Sequence, residues 1–258
     1  MATENDPAAP GLWGRIRHIC LDKDGTLTDV HSYWAHICGL RAAALVSRYG
    51  LAPTEAASLL GCMGIDPGSK RIRPGGPVGY WPRPVVAQRL VEHLERGGAQ
   101  ACEADVLAVF QDVDQRQQEQ DDYRVELLCG VREALADMTR QGLVLSVYSS
   151  DRRENSLRVL ERLALGACFK SVVGGGCVRR PKPHPEGFLL ACRQVGIEPS
   201  RSAYLGDTVE DVKMSLAGGA AAALAVATGL SPYEELRALT PHVLRRLGDW
   251  RGAAEAVR

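Results

Sequence analysis

Two aspartates one residue apart, Asp22 and Asp24, follow the apolar run at residues 16–21. A run of that length and composition suits a central strand, and it stops where Asp22 begins. The charges therefore emerge at the strand's carboxyl end, the edge at which open α/β sheets bind ligands. Two carboxylates this close repel each other, and a cation or a shared proton must compensate; the pair implies a metal ion. Gly25 lets the backbone turn with no Cβ in the way, and Thr26 offers a hydroxyl and an N–H to an anion lodged beside Asp22. The same residues also fit an Asx-type turn kept for geometry alone, so the rest of the chain has to decide.

Three later points carry compatible chemistry. A second apolar strand ends in Ser149, Ser150 and Asp151, which places hydroxyls where they can hold a phosphate oxygen, although either serine alone also fits a helix N-cap. Lysine occurs only at positions 23, 70, 170, 182 and 213, and Lys182 stands between prolines in the stretch 180–185. A rigidly presented ammonium neutralises an attacking carboxylate and a phosphoryl group together; a solvated surface lysine is the alternative. Finally, Gly206, Asp207, Thr208 and Asp211 put a second acidic cluster at the end of another apolar strand. Asp207 and Asp211 are one helical turn apart and face the same way, while an acid at a helix start also serves as a plain cap.

These residues need a sheet to bring them together. Strand patterns fall at residues 16–21, 143–148, 171–173, 202–205, 221–226 and 242–244. Helical patterns alternate with them at 130–141, 153–165, 185–195, 209–217 and from Trp250 onward. That alternation predicts a doubly wound, mostly parallel, Rossmann-like α/β core. It is interrupted for about a hundred residues by helical patterns at 31–49, from Pro53 or Thr54 to a stop at Gly61, at 82–95 and at 103–119, with a Gly- and Pro-rich loop over 61–81. A loop that long in a compact domain is usually functional. The expected organisation is a flexible leader at 1–14, an α/β catalytic core at 15–29 and 128–258, and an all-helical cap at 30–127.

Composition narrows the partners. The chain has 31 acidic and 31 basic residues, so it offers no net charge for a polyanion, and nucleic acid is not expected. No run approaches a membrane span. Residues 1–14 are polar and lack the apolar segment of a signal peptide. The eight cysteines are scattered, with no CxxC pairing and no zinc spacing, as suits small buried hydrophobes in a reducing cytoplasm.

The set Asp22-x-Asp24-Gly25-Thr26, Ser149, Lys182, and Gly206-Asp207-Thr208 with Asp211, in that order, resembles the four motifs of the haloacid dehalogenase-like superfamily of phosphohydrolases. The helical insertion directly after the first motif is similar to that family's first-position cap, as in its phosphoglycolate phosphatase-like branch. The resemblance covers the chain from about Arg15 to its end and implies a Mg²⁺-dependent phosphatase acting on a small phosphorylated metabolite. It implies that Asp22 attacks phosphorus and becomes an aspartyl-phosphate, and that Asp24 protonates the leaving alcohol and then deprotonates water. Asp22, the carbonyl of Asp24, and Asp207 would hold Mg²⁺, with Asp211 in the outer shell or acting through water. Ser149, with the Ser150 N–H, and Lys182 would bind the phosphoryl group, and the cap would exclude water and choose the substrate.

Within the family, the acid at Asp24 argues against halide displacement, which does without it. Phosphonate hydrolases also lack it and use a cap lysine for a Schiff base; Lys70 is the only lysine in the cap, so that reading stays as an alternative that Asp24 opposes. A phosphomutase shares every motif and remains an alternative, as does a non-catalytic ligand-binding protein on the same fold. Lys23 is tolerated between the two acids and is given no role. Lys70, Arg71 and Arg73 form a basic cluster in the long loop, placed either to meet an acidic group on the substrate or as a solvated loop. A monomer or homodimer is expected.

Overall fold

The computed structural model describes residues 12–79, 81–120 and 124–257; residues 1–11 of the expected leader lie outside them. The remainder of that leader is ordered. Leu12–Arg15 forms a helical turn, α1, whose Trp13 meets Trp250 edge to face at 4.8 Å and donates its indole N–H to the Arg251 carbonyl. A large aromatic with a polar tip finds both apolar cover and a partner there.

After α1 come β1 (His18–Leu21), α2 (Val30–Tyr49), α3 (Glu55–Cys62), α4 (Arg83–Arg96), α5 (Glu103–Gln120), α6 (Val131–Arg140), β2 (Val144–Tyr148), α7 (Arg153–Arg162) and β3 (Ser171–Val173). The chain continues with α8 (Glu186–Val195), β4 (Ser202–Gly206), α9 (Val209–Ala217), β5 (Ala222–Val226), α10 (Tyr233–Arg237), β6 (Val243–Leu244) and a closing 3₁₀ stretch, Leu247–Val257. Two compact units divide it. One holds the described residues up to Asp29 and from Leu127 on, and the other is Val30–Glu126.

The first unit is an α/β fold around one parallel sheet in the order β3-β2-β1-β4-β5-β6. Every residue of β1, β4 and β5 is buried, which is why those strands read as unbroken apolar runs. Side chains alternate across the sheet. Ile19, Leu21, Leu145, Val147 and Leu205 pack against Val131, Leu135 and Met138 of α6 and Leu160 of α7. Cys20, Tyr148 and Tyr204 point the other way, onto Phe188 and Ala191 of α8 and Met214 of α9. Leu236 of α10 closes the far end of that second layer with Val212, Ala223 and Ala225.

One polar group is sealed inside the sheet. His18 is fully buried, with Nδ1 2.9 Å from Ser202 Oγ and Nε2 2.7 Å from Ser146 Oγ. β1 thus ties its two neighbours through side chains as well as through the ladder, and the two hydroxyls satisfy both ring nitrogens of a neutral imidazole.

The helical unit is organised around α2, with Ile37, Cys38, Ala42 and Leu45 buried along one side. Buried positions face inward from α4 (Val86, Leu90, Leu94) and α5 (Val106, Phe110, Val113). Arg41 is buried among them. Its guanidinium lies 4.3 Å from the Phe110 ring centroid, and Nη2 donates to Asp114 Oδ1 at 2.9 Å. The loop between α3 and α4 is ordered by an antiparallel bridge between Ile65 and Ile72 and by the Ile72 N–H, which donates to His31 Nδ1.

Some boundaries differ from those the sequence predicts. Gly61 does not stop α3, which runs to Cys62, because burying Leu59 and Leu60 outweighs the glycine's propensity cost of about 1 kcal/mol. The chain's last segment is 3₁₀ where an α-helix is predicted, since its three-residue repeat brings Leu247 and Trp250 into the core together. Among the described residues no helix is long and apolar enough to cross a membrane.

Burial pushes the His18 imidazole down to about 4. Above the ordinary value of 6.5 the ring is neutral in both folded and unfolded chains. Between 6.5 and 4 only the unfolded chain takes up the proton, so stability falls as pH falls through that window, by up to about 3 kcal/mol. Urea unfolding from pH 7 to 4 should show a shallower decline in His18→Gln than in the native chain.

Candidate active site

β1 delivers Asp22 to the carboxyl edge of the sheet, and the Asp22 N–H donates to the Leu205 carbonyl at 2.8 Å, carrying the β1–β4 ladder one residue further. The chain then folds back on itself. The N–H groups of Leu27 and Thr28 both donate to the Lys23 carbonyl, and that of Gly25 to the Thr28 carbonyl. Gly25 has φ +85°, and a Cβ at that position would collide with the Asp207 carboxylate, so glycine is required both for the turn and for the approach of the second acid.

β4 ends in Gly206, and Asp207 follows it. At the start of α9, Thr208 and Asp211 form a capping box: the Thr208 N–H and hydroxyl donate to Asp211 Oδ2 at 3.0 and 2.6 Å, and the Asp211 N–H donates back to Thr208 Oγ1. Asp211 is thus both a cap and part of the acid cluster, because its other oxygen, Oδ1, lies 2.8 Å from Lys182 Nζ.

Asp22, Asp207 and Asp211 are all buried, and each offers a carboxylate oxygen within 4.8 Å of the others. Lys182 reaches Asp22 Oδ1 at 2.5 Å, with its ammonium 5.1 and 5.3 Å from the ring centroids of Tyr148 and Tyr204. Ionised together, three carboxylates against one ammonium would leave two negative charges in a buried site, and a hard divalent cation with oxygen ligands fits that deficit, as protons do without it. Burial pushes Asp22 up to about 7, against the pull of Lys182. Burial and the neighbouring Asp22 push Asp207 well above the ordinary carboxylate range. For Lys182, burial opposes the charge, yet Asp211 and Asp22 hold it above the ordinary lysine value.

The other predicted residues are distributed around this cluster. Thr26 is buried, with its hydroxyl 3.5 Å from Asp207 Oδ1. Ser149 is buried at the end of β2 and accepts from the Asp151 N–H, and Ser150 beside it is exposed. The Asp24 side chain is not one of the three clustered acids: both its oxygens lie 2.6 Å from Lys23 Nζ, and Thr28 Oγ1 donates to Oδ1. Lys70, Arg71 and Arg73 belong to the helical unit and are exposed; Arg73 lies 3.7 Å from Asp66.

A loop the sequence did not single out also belongs here. After β5, the Leu230 N–H donates to Asp207 Oδ2 at 2.8 Å, the Ser231 N–H to the Asp207 carbonyl, and the Thr228 hydroxyl to the Gly25 carbonyl. A Cβ on Gly229 would sit on the Asp207 carboxylate. The only sequence signal was Thr228-Gly229, one residue beyond the end of a buried strand, with no charge to mark it.

The fold is thus a doubly wound parallel sheet with three buried acids and Lys182 converging at its carboxyl edge. The family model for haloacid dehalogenase-like hydrolases matches residues 16–219, and the chain belongs to that hydrolase family. A relative from Dickeya dadantii, "Probable phosphatase IndB", is 36% identical over 129 residues, which is 50% of this chain and 56% of that protein. The chain spans about half the length of the curated relatives it matches. A solved structure of a predicted phosphoglycolate phosphatase from Haemophilus somnus 129PT covers 91% of this chain and 96% of its own, with a TM-score of 0.69 at 20% identity. The β-phosphoglucomutase of Clostridium difficile covers 91% and 92%, with a TM-score of 0.54 at 18% identity.

Two outcomes test the cation site by thermal unfolding with and without Mg²⁺. Gly229→Ala should destabilise the chain by about 1–3 kcal/mol through overpacking and abolish the Mg²⁺-induced rise in Tm, because it displaces Asp207. In the native chain that rise should shrink as pH falls below about 7, where protons compete for Asp22.

Proposed function

We propose that the chain is a Mg²⁺-dependent phosphatase that hydrolyses a small phosphomonoester through an aspartyl-phosphate on Asp22. The observation that carries this reading is Lys182, rigidly presented and shared between Asp22 and Asp211 at the edge where β1 and β4 end. A phosphoryl group brought to Asp22 meets that ammonium, which offsets the charge of nucleophile and phosphoryl oxygens together. The family membership and the phosphatase names of the curated relatives support the same reaction class.

The chemistry follows from the groups available. Asp22 attacks phosphorus as the ester bond breaks, and Asp24 gives its proton to the departing alcohol oxygen. Asp24 then takes a proton from the water that attacks the phosphorylated Asp22, which returns the carboxylate and frees phosphate. Thr26, Ser149 and the Ser150 N–H bind phosphoryl oxygens. Asp22, Asp207 and Asp211, with the Asp24 carbonyl, would hold Mg²⁺, which when bound screens the charge between nucleophile and phosphoryl group. Selection of the alcohol portion falls to the helical unit, where Lys70, Arg71 and Arg73 suit an acidic substituent. With all eight thiols free, the chain suits a reducing cytoplasm.

The test is release of inorganic phosphate from a panel of esters: phosphoglycolate, glycerol phosphate, hexose phosphates and p-nitrophenyl phosphate. Turnover should require Mg²⁺, vanish with EDTA, and fall by at least about 10³-fold in Asp22→Asn. Isomerisation of a bisphosphate-primed sugar phosphate without phosphate release would make the chain a mutase, and binding of esters with no turnover would make it a binding protein.

A further inference from the structure

Lys23 is buried to 4% exposure although it stands between two acids at the mouth of the site. A lysine stem of this length ordinarily carries its charge to water, and sealing an ammonium costs several kcal/mol unless it is paired. Here the pairing is specific. Nζ lies 2.6 Å from both oxygens of Asp24 and 3.6 Å from Asp151 Oδ2. Asp151 is itself held from several sides: its N–H donates to Ser149 Oγ, its Oδ1 accepts from the Arg152 N–H and from Asn155 Nδ2, and its carbonyl accepts from the Gly175 N–H. The chain Asp24–Lys23–Asp151 therefore joins the end of β1 to the end of β2, and its far end is anchored to the backbone.

The other end is where orientation matters. The Asp24 side chain is 37% exposed, and a short carboxylate at such a site has two free torsions unless something grips it. Lys23 grips both oxygens and Thr28 Oγ1 a single one. On the phosphatase reading, Asp24 must present one oxygen to the ester oxygen as the phosphorus–oxygen bond breaks; misplacement by about 1 Å costs on the order of 100-fold. We infer that Lys23 is a positioning residue for proton transfer, fixing the Asp24 carboxylate by a two-oxygen contact that Asp151 holds in register. Electrons and proton balance without further reactants: Asp22 forms its bond to phosphorus, the ester electron pair goes to the alcohol oxygen, and that oxygen takes the Asp24 proton. Lys23 itself gains and loses nothing.

A lysine that only stapled two strand ends would affect all substrates alike. One that positions Asp24 would affect those whose leaving group needs a proton. The experiment compares kcat/KM for the alkyl ester that the native chain turns over fastest with kcat/KM for p-nitrophenyl phosphate, whose nitrophenolate departs unprotonated. Lys23→Met should lower the alkyl value about 10- to 100-fold more than the aryl value, and in an Asp24→Asn background it should add no further selective loss. Asp151→Asn, which keeps an oxygen for the Arg152 N–H and Asn155 Nδ2, should give the same selectivity at smaller size, and it decides the matter if Lys23→Met shows no cooperative unfolding transition. Equal losses on both esters, or none, would overturn the positioning role while leaving the phosphatase reading intact. A native chain that hydrolyses neither ester would overturn both.

Discussion

Three buried carboxylates and the Lys182 ammonium among them set the terms for the rest of the α/β unit. Burying an ion without a partner costs several kcal/mol, so each acid must be met by a group that the fold supplies. Asp22 has Lys182, Asp211 has Lys182 and the Thr208 cap, and Asp207 has the Leu230 N–H with the Thr26 hydroxyl near its other oxygen. Apart from the Thr208 cap at the head of Asp211's own helix, none of these partners shares a regular element with its acid. The sheet order, the turn after β1 and the loop after β5 are what bring them within reach.

Parallel topology does this economically, because every strand of such a sheet points its carboxyl end to the same edge. β1 and β4 are neighbours although their acids are separated by 185 positions, 207 − 22. β2 lies on the other side of β1 with Ser149 and Asp151, and β5 lies beyond β4 with the loop that cradles Asp207. On the opposite, amino-terminal half of the same strands His18 joins Ser146 and Ser202, so β1 is tied to both neighbours at one end and carries the charges at the other.

The strand-end acids were legible because a fully buried strand is a continuous apolar run, and the abrupt arrival of Asp22 or Asp207 marks where it surfaces. Lys182 was legible through its prolines and the scarcity of lysine. The grip of Lys23 on Asp24 was not, since beyond the last strand residue the two-residue alternation no longer dictates where a side chain points. The loop at 228–231 acts mainly through backbone N–H groups and a missing Cβ, which leave almost no trace in residue type. α10 is five residues long, too short for a helical period to register, and α1 owes its helical turn to the contact of Trp13 with Trp250 across the whole length of the chain. The exposed basic loop at 70–73 carries charge without geometry, and sequence reading could say no more of it than that.

The antiparallel bridge between Thr28 and Leu127, reinforced by the Leu128 N–H on the Leu27 carbonyl, has a modular consequence. The chain departs from the α/β unit and returns to it at one pinned point, so the intervening ninety-odd residues form an excursion whose two ends are held together within that unit. Loop closure costs scarcely more for a long excursion than for a short one. Natural variation can therefore lengthen, shorten or replace the excursion while the acids, the lysine and their partners keep their places, and the two stretches of the gene are free to change at different rates.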